Sequence, residues 1–261
     1  MDATGRFRDL VAQPEPAANL DELALLIAAH AYPDLDVDRE LESLEALAAA
    51  CDGPTLDALV RHLFVDLGFE GNRRQYYDPR NSYLNDVLSR RTGIPITLSV
   101  LMIAVGRRLG IPLDGVGLPG HFLVRDRVDV DVFVDPFDRG TLLDRAGCER
   151  AFHRVHGADA TFDPAFLEPV GTFSIVNRML ANLRAVFAAL GDHRSLLWVI
   201  RLRTALPDAS AEERSELAAA LAATGEFRAA ADELDHLAES LGGGPGDAYA
   251  QRAVGLRARL N

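Results

Sequence analysis

The sequence predicts an α+β protein in which a mainly helical chain carries one short run of strands. Apolar residues recur at helical spacing over most of the chain, which indicates amphipathic helices. Between Val116 and Phe137 the pattern changes to short apolar runs separated by Gly and Pro, which is typical of strands. From Ser174 to the end the pattern is helical again, so an all-α part is expected to follow the mixed part.

The N-terminal region is predicted to be a loose arm followed by helices. Residues 1–17 form the arm because they contain Gln-Pro-Glu-Pro, and proline disfavours regular elements. Asn19 is a candidate N-cap for the first helix. The predicted helices cover Leu20–His30, Asp36 or Asp38 to Ala50, Leu56–Leu67 and Tyr83–Arg91.

A helix that begins at Ile94 or Pro95 forms the centre of the predicted core. Proline suits the first helical turn because its missing N–H would have no intrahelical partner there. Gly110 ends this helix and Pro112 prevents its continuation. Apolar residues at helical spacing mark its buried side, namely Leu98, Leu101, Met102, Val105 and Leu109.

Three segments on and beside this helix carry a resemblance to a known family. They read DPRNSYLNDVLSRRTGIPITLSV, GVGLPGHFLVR and DVFVDPFDRG, and they cover roughly residues 78 to 140. With this order of helix, His and Asp-Pro, the chain resembles the transglutaminase-like superfamily. The amino-acid sequence of the three segments resembles the SirB-type bacterial branch of this superfamily, in which a transglutaminase-like domain precedes tetratricopeptide repeats. The resemblance implies a transglutaminase- or papain-like core.

The resemblance also implies a catalytic site that lacks its nucleophile. In the superfamily a Gly-x-Cys opens the helix, where the dipole stabilises a thiolate; a His acts as base and an Asp orients it. Anchored on the glycine at the helix start, this motif falls on Gly93-Ile94-Pro95. His121 matches the family His and Asp135 the family Asp, so we expect these two side chains to be neighbours. Pro95, at the nucleophile position, has no reactive atom.

The pocket beside His121 is expected to be lined by Pro95, by Ser99 and by the segment that precedes the helix. From that segment we expect Asn81, Tyr83 and Asn85, because the resemblance marks it as a signature and it is dense in donors and acceptors. Asp-Pro followed by Asn or Ser is also a helix-start signal. Capping alone therefore explains the same residues, and both interpretations stay open.

Three side chains are candidates to replace the missing thiol. Ser99 lies one turn after Pro95 on the same helix face, although packing against the strands explains it equally. Cys148 lies in the helix after the Asp strand and could approach His121 from that side. Buried, inert cysteines are commoner than reactive ones. Cys51, at the end of a helix, is a weaker candidate.

The C-terminal part contains an internal repeat. Thr161–Pro169 is the candidate linker, so the expected domains are residues 18–165 and residues 170–261. At an offset of 34 residues, Gly191 meets Gly225 and Ala188 meets Ala222. This period resembles the tetratricopeptide repeat, which stacks helix pairs. We expect two helix pairs and a last helix that together recruit a protein or peptide partner.

Arg178 and Asn182 lie one turn apart at the start of this repeat region. In one interpretation they reach back to the first domain as a polar contact. In the other they belong to a solvated helix face. The sequence favours neither.

Composition limits the classes of function. The chain has 27 basic and 39 acidic residues, a formal charge of −12, which argues against nonspecific binding to nucleic acid or to an anionic membrane. The apolar runs are shorter than a bilayer needs, and the N-terminus lacks a signal-peptide pattern. Two cysteines make no disulfide framework or metal cluster. We therefore expect a cytoplasmic protein without a metal or cofactor.

Two classes of function remain. The first is a non-catalytic binding or scaffold protein, a pseudoenzyme whose cleft holds a peptide while the repeats recruit a partner. The second is a transglutaminase- or cysteine-peptidase-like enzyme that acts on amide bonds through Cys148, a hydroxyl, or water activated by His121. Pro95 favours the first class, because a carbon ring in place of a thiol removes covalent catalysis.

Overall fold

The computed structural model describes residues 2–15 and 19–260, and the chain forms two compact units. The first unit comprises Gln13–Met179. The second comprises Asp2–Ala12 together with Leu180–Asn261. The first helix of the chain, α1 (Ala3–Val11), therefore belongs to the second unit.

The helices of the first unit lie before and between its strands. They are α2 (Leu20–Ala31), α3 (Val37–Ala49), α4 (Leu56–Val60), α5 (Leu84–Arg90), α6 (Pro95–Arg108) and α7 (Arg145–His156). Helix α4 continues directly as a π-helix over Arg61–Asp66. Short 3₁₀ turns cover Pro79–Ser82, Pro136–Asp138 and Pro164–Leu167.

The strands of the first unit form a parallel pair and a separate antiparallel sheet. The pair consists of β1 (Glu70–Gly71) and β2 (Thr92–Gly93). The sheet contains β3 (Leu113–Val116), β4 (Leu123–Asp126), β5 (Phe133–Asp135), β6 (Thr141–Leu143) and β7 (Pro169–Val170). Its strands lie in the order β6-β5-β4-β3-β7, and every neighbouring pair is antiparallel. The strands that follow the predicted His and carry the predicted Asp are thus adjacent.

Helix α6 is the buried centre of the first unit. From Leu98 to Met102 every side chain is fully buried. The helix contacts α2, α3, β3 and β4. A helix that is buried all round has protein on every side. Its first residue, Pro95, is therefore held in place by the whole core.

A buried carboxylate ties α2 to the last turn of α6. Asp21, only 1% exposed, accepts hydrogen bonds from Arg107 at 3.0 Å and from Arg108 at 2.6 Å. Breaking such a buried pair leaves an uncompensated charge and costs about 3–5 kcal/mol. This network fixes the position of α6 along its axis.

The second unit is built from helices in the part of the chain that the structure describes. Helix α8 (Thr172–Leu190) runs across the division between the units. It is followed by α9 (His193–Thr204), α10 (Ala211–Ala223), α11 (Phe227–Leu241) and α12 (Gly243–Arg257), and a 3₁₀ turn covers Ala258–Leu260. From α9 onward each helix packs on the next, around buried residues such as Leu217 and Leu234.

The 34-residue offset of the sequence recurs as a repeated turn geometry. Gly191 and Gly225 both lie in the left-handed region, with φ of 67° and 84°. After each glycine, one residue donates its N–H to a carbonyl five positions earlier: Asp192 to Phe187, and Glu226 to Leu221. Such turns end helices with glycine in this conformation. The helix ends predicted at both glycines are confirmed.

The loose arm predicted over residues 1–17 is wrong for residues 3–11, which form α1. Asp2 caps this helix by accepting from the N–H of Gly5 at 2.6 Å. Phe7 and Val11, one turn apart, are buried. Pro14, the first proline of Gln-Pro-Glu-Pro, follows this helix rather than interrupting it. Positions 1, 16 and 17 of the predicted arm lie outside the described residues.

The linker predicted over Thr161–Pro169 also needs correction. Leu167 is buried in the core of the first unit. Pro169 pairs with Val116 as part of β7, at the edge of the sheet. The division between the units falls instead within α8. Proline is compatible with an edge strand, which explains why a Pro-punctuated segment belongs to the sheet.

By length and composition alone, α8 is the one helix among those the structure describes that could cross a membrane. Its most apolar window has a mean hydropathy of 1.2. The helix nevertheless carries Arg178 and Arg184, and both make hydrogen bonds to protein groups. Val176 and Leu183 are fully buried in the protein. Part of α8 therefore packs against protein, and 33% of its most apolar stretch is buried.

Candidate active site

Strands β4 and β5 bring His121 and Asp135 together. His121 lies two residues before β4, and Asp135 is the last residue of β5. The pairing of Val124 with Val134 sets the register of the two strands. The Nε2 atom of His121 lies 2.8 Å from Oδ2 of Asp135, which is a hydrogen bond. The two residues are the expected neighbours, while their role in chemistry stays a prediction.

The second carboxylate oxygen of Asp135 holds the chain that follows β5. Oδ1 accepts from the backbone N–H groups of Phe137 and Asp138, each at 3.1 Å. The carboxylate, 3% exposed, thus caps a 3₁₀ turn and orients an imidazole at once. When Nε2 of His121 donates to this carboxylate, the neutral imidazole carries its lone pair on Nδ1.

His121 and Asp135 lie on the wall of a cavity of about 730 Å³. Pro95 lines the same cavity. Within the described part of the chain, no group hydrogen-bonds to Nδ1 of His121. The basic nitrogen of the pair is therefore available to a ligand in the cavity.

The first turn of α6 contributes Pro95 to this cavity. Pro95 is the first helical residue, and Ile94 precedes it as the N-cap without a side-chain capping bond. The early backbone N–H groups of a helix have no intrahelical partners and carry partial positive charge. The cavity therefore combines a base, an orienting carboxylate and a helix start, but the residue at the helix start has no nucleophilic atom.

A family model described as the transglutaminase-like superfamily matches residues 17–181, which is more than half of the chain. The chain belongs to the transglutaminase-like superfamily. The matched region contains Pro95, His121 and Asp135, and with them the whole cavity wall described above.

Several relatives share the region. A UPF0162 protein of Xylella fastidiosa strain Temecula1 is 43% identical over 195 residues, which cover 70% of this chain and 69% of the relative. A UPF0162 protein of Pseudomonas aeruginosa is 32% identical over 202 residues, or 74% of this chain and 73% of that one. Mouse F-box only protein 21 is 34% identical over 186 residues, which cover 68% of this chain but 28% of that protein. No solved structure matches the chain at a significant level.

Arg178 holds the loop that carries His121. One terminal nitrogen of its guanidinium donates to the carbonyl oxygens of Leu118 at 3.0 Å and His121 at 2.7 Å. The guanidinium also lies over the ring of Phe122, 5.3 Å from its centre. Burial lowers the pKa of Arg178 from its ordinary value. Arg178 is half-buried and makes these polar contacts, so it does not belong to a solvated helix face. Asn182, the other residue whose role the sequence left open, belongs to the second unit.

Asn81 lies behind the cavity wall rather than on it. The residue is fully buried, and its amide nitrogen donates to the carbonyls of Gln75 at 2.6 Å and Tyr76 at 3.2 Å. The backbone carbonyl of Asn81 accepts a hydrogen bond from the Thr97 hydroxyl at 2.7 Å. Because Tyr76 lines the cavity and Thr97 lies in the first turn of α6, Asn81 joins two parts of the wall.

The structure also places Tyr83, Asn85 and Ser99 away from the lining of the cavity. Tyr83 is buried, with its ring edge-on to Tyr32 at 5.7 Å. Ser99 is fully buried and donates to the carbonyl of Pro95 at 2.8 Å, so its hydroxyl is occupied within the helix. Asn85 is half-buried, in α5. The sequence pattern shows that these residues lie near the start of α6, but it does not show that their side chains point into the protein core or away from the cavity.

Cys148 has none of the features of an activated nucleophile. It is fully buried among apolar side chains and does not line the cavity. Burial, with a smaller contribution from the Asp144 and Asp135 carboxylates, raises the pKa of the Cys148 thiol to about 12. A reactive cysteine needs a low pKa and exposure. Burial likewise raises the pKa of Cys51, whose sulfur contacts the carbonyl of Gly53 at 3.5 Å.

The sequence is rich in arginine from Arg73 to Arg91, but it does not predict that Arg73, Arg150 and Arg154 line one cavity. Arg73 follows β1, whereas Arg150 and Arg154 lie on α7. Their spacing of four residues puts Arg150 and Arg154 on one helix face, and this signal was available in the sequence. In the described residues, no group of three or more His, Cys, Asp or Glu side chains is arranged to hold a metal ion.

Proposed function

We propose that the chain is a non-catalytic member of the transglutaminase-like superfamily, a binding or scaffold protein that holds a peptide in the cavity beside His121. One observation carries this proposal. The residue that opens α6 onto the cavity is Pro95, while the hydrogen-bonded His121 and Asp135 are retained. A base without a nucleophile beside it cannot form an acyl-enzyme.

Neither cysteine supplies a substitute thiol in this proposal. The raised pKa of Cys148 keeps that side chain as a thiol at neutral pH, and its burial keeps substrates away from it. Ser99 already donates its proton to a carbonyl of its own helix. Covalent catalysis through these residues is therefore disfavoured on separate physical grounds.

We further propose that the chain is of the SirB type and that its second unit is a short tetratricopeptide array. The segments around Pro95, His121 and Asp135 support the first point. The recurring glycine turns at Gly191 and Gly225, and the sequential packing of α9 to α12, support the second. In this proposal the array recruits a protein or peptide partner in the cytoplasm, and neither nucleic acid nor a membrane is bound.

A second candidate function has one observation in its favour. No group in the described residues occupies Nδ1 of His121, so a water molecule in the cavity has a base available to it. In that case the protein hydrolyses an amide bond without a covalent intermediate. General-base catalysis alone contributes about 10²–10⁴-fold, which is a small part of the acceleration that amide hydrolysis needs.

Turnover measurements separate these functions. The full-length chain is incubated with glutamine-containing peptides and a primary amine, and the products of hydrolysis and transamidation are followed by mass spectrometry. We expect no turnover. Turnover that both His121→Ala and Cys148→Ala abolish would contradict the proposal in favour of a cysteine enzyme. Turnover lost in His121→Ala only would establish water activation instead.

A further inference from the structure

The cavity beside His121 continues into a second one. The second cavity, of about 690 Å³, shares Arg73, Phe137 and Asp138 with the first. It reaches Thr92 on β2, whereas the first reaches Val155 on α7. We call the joined cavities the groove.

Basic side chains outnumber acidic ones in the lining of the groove, whereas acidic residues predominate in the whole chain. The lining contains five arginines and three carboxylates: Arg73, Arg74, Arg139, Arg150 and Arg154 against Glu70, Asp135 and Asp138. The whole chain has 27 basic and 39 acidic residues. A cationic cleft in an acidic protein attracts anionic ligands.

Two of these arginines have no hydrogen-bond or ion-pair partner among the residues that the structure describes. Arg73 pairs with Asp138 at 2.7 Å, Arg139 pairs with Glu70, and Arg150 lies 3.8 Å from Asp144. Arg74 and Arg154 are exposed and make no ion pair or hydrogen bond within the part of the chain that the structure describes. Arg74 lines the second cavity and Arg154 the first, so an unpaired cation serves each half of the groove.

The chemistry of the cations points to carboxylates. The chain contains no lysine, so every basic side chain in the groove is a guanidinium. A guanidinium binds a carboxylate through two parallel hydrogen bonds. Exposed apolar surface lines the same cavity as the cations, since Tyr76 is 39% and Val155 54% exposed. A ligand that matches the groove carries both carboxylates and apolar groups.

One strand at the groove favours a peptide over a small organic acid. Strand β6 is at the edge of the sheet, and its residues Thr141 and Leu143 line the first cavity. An edge strand offers backbone donors and acceptors that an extended peptide satisfies by pairing with it. A free carboxylic acid cannot make that ladder.

We propose that the groove binds an extended acidic peptide segment. Its carboxylates pair with Arg74 and Arg154, and its apolar side chains pack on Tyr76, Phe137 and Val155. This assignment rests on the proposed function, because it names the class of ligand that the same cleft holds.

The test compares peptide libraries on the full-length chain. One library of about ten residues alternates Glu with a mixture of Val, Leu and Phe, a length that spans about 33 Å when extended. A second replaces every Glu by Gln. Both carry the same uncharged fluorophore, and binding is followed by anisotropy at low and at physiological salt. We expect the Glu library to bind about tenfold more tightly than the Gln library, with the difference decreasing as salt increases.

Two double variants of equal charge locate the binding. Arg74→Glu with Arg154→Glu alters the groove, whereas Arg194→Glu with Arg228→Glu alters exposed arginines on α9 and α11. We expect the first to weaken binding of the Glu library about tenfold and the second to leave it within about twofold. Circular dichroism melts check that both variants fold.

Equal binding of the two libraries, no binding of the Glu library, or equal effects of the two double variants would overturn the assignment. Those results leave the non-catalytic function standing. Cleavage or modification of the bound Glu library, lost on His121→Ala, would instead overturn the proposed function and leave the acidic groove in place. Mass spectrometry of the recovered peptides distinguishes these outcomes.

Discussion

His121 and Asp135 are hydrogen-bonded at 2.8 Å through Nε2 and Oδ2, and Pro95 lines the same cavity. A hydrogen-bonded His–Asp pair and the start of α6 thus share one cavity, and the residue at that helix start has no nucleophilic atom. The same carboxylate also caps the turn after β5. The pair is therefore part of the fold as well as of the cavity.

The dual role of Asp135 predicts a graded loss of stability. Asp135→Ala removes acceptors for three donors and should lower the free energy of unfolding by about 2–4 kcal/mol. Asp135→Asn keeps a carbonyl acceptor for the backbone and should cost about half as much. Urea unfolding followed by circular dichroism measures both. Equal losses in the two variants would show that the turn does not depend on a carboxyl or amide oxygen.

Arg178 should hold the loop that carries His121 in a single conformation. In Arg178→Lys an ammonium replaces the guanidinium that donates to the carbonyls of Leu118 and His121, so the loop should loosen. Amide hydrogen exchange around residues 118–122 should become about tenfold faster, and stability should fall by about 1–2 kcal/mol. Arg184→Lys, on the same helix, is the matched control and should leave that loop unchanged. An unchanged loop in both variants contradicts the assignment.

The raised pKa of Cys148 predicts a specific loss of stability at alkaline pH. In the unfolded chain a cysteine loses its proton near pH 8.5, whereas in the fold the pKa of Cys148 is about 12. The folded state therefore binds more protons between these values, and stability falls as the pH rises from about 9 to 12, by up to about 1.4 kcal/mol per pH unit. In Cys148→Ala this part of the slope should disappear. Urea midpoints of the two proteins between pH 8 and 10.5 measure the difference; parallel curves would refute it.

The repeated turns predict matched costs for two substitutions 34 residues apart. Gly191→Ala and Gly225→Ala put a side chain on left-handed backbone, although neither added Cβ meets an atom within 4 Å. Each should lower stability by about 1 kcal/mol through backbone conformation alone. Gly255→Ala, inside α12 and equally open, should instead stabilise by a similar amount. A neutral or stabilising Gly191→Ala would mean that the turn is not held as described.

The sequence predicted those features that depend on local pattern. The start of α6 at Pro95, the helix ends at Gly191 and Gly225, and the strands near His121 and Asp135 all follow from proline, glycine and apolar spacing. Pattern did not predict which side chains face the cavity. Asn81 and Ser99 make hydrogen bonds with the backbone behind the wall, and only the packed arrangement of neighbouring segments determines that direction.

The errors have a common physical cause in long-range contacts. Gln-Pro-Glu-Pro predicts a loose arm over residues 1–17, whereas α1 forms because Phe7 and Val11 are buried in the fold. Pro169 was assigned to a linker because its strand has two residues and depends on pairing with β3. The arginines at the cavity mouth come from two distant segments, and sequence spacing does not show that they converge.

The most direct measurement tests whether Pro95 occupies the nucleophile position. In a chain that also carries Cys51→Ala and Cys148→Ala, Pro95→Cys is alkylated with iodoacetamide across the pH range 5 to 9, with and without His121→Ala. The control Ser99→Cys, buried one turn deeper, should label slowly. We expect Pro95→Cys to label readily near pH 6 and His121→Ala to slow this labelling about tenfold, because the helix dipole and the imidazole together stabilise the thiolate. If the labelling rate is that of an ordinary thiol and does not change in His121→Ala, Pro95 does not occupy the nucleophile position.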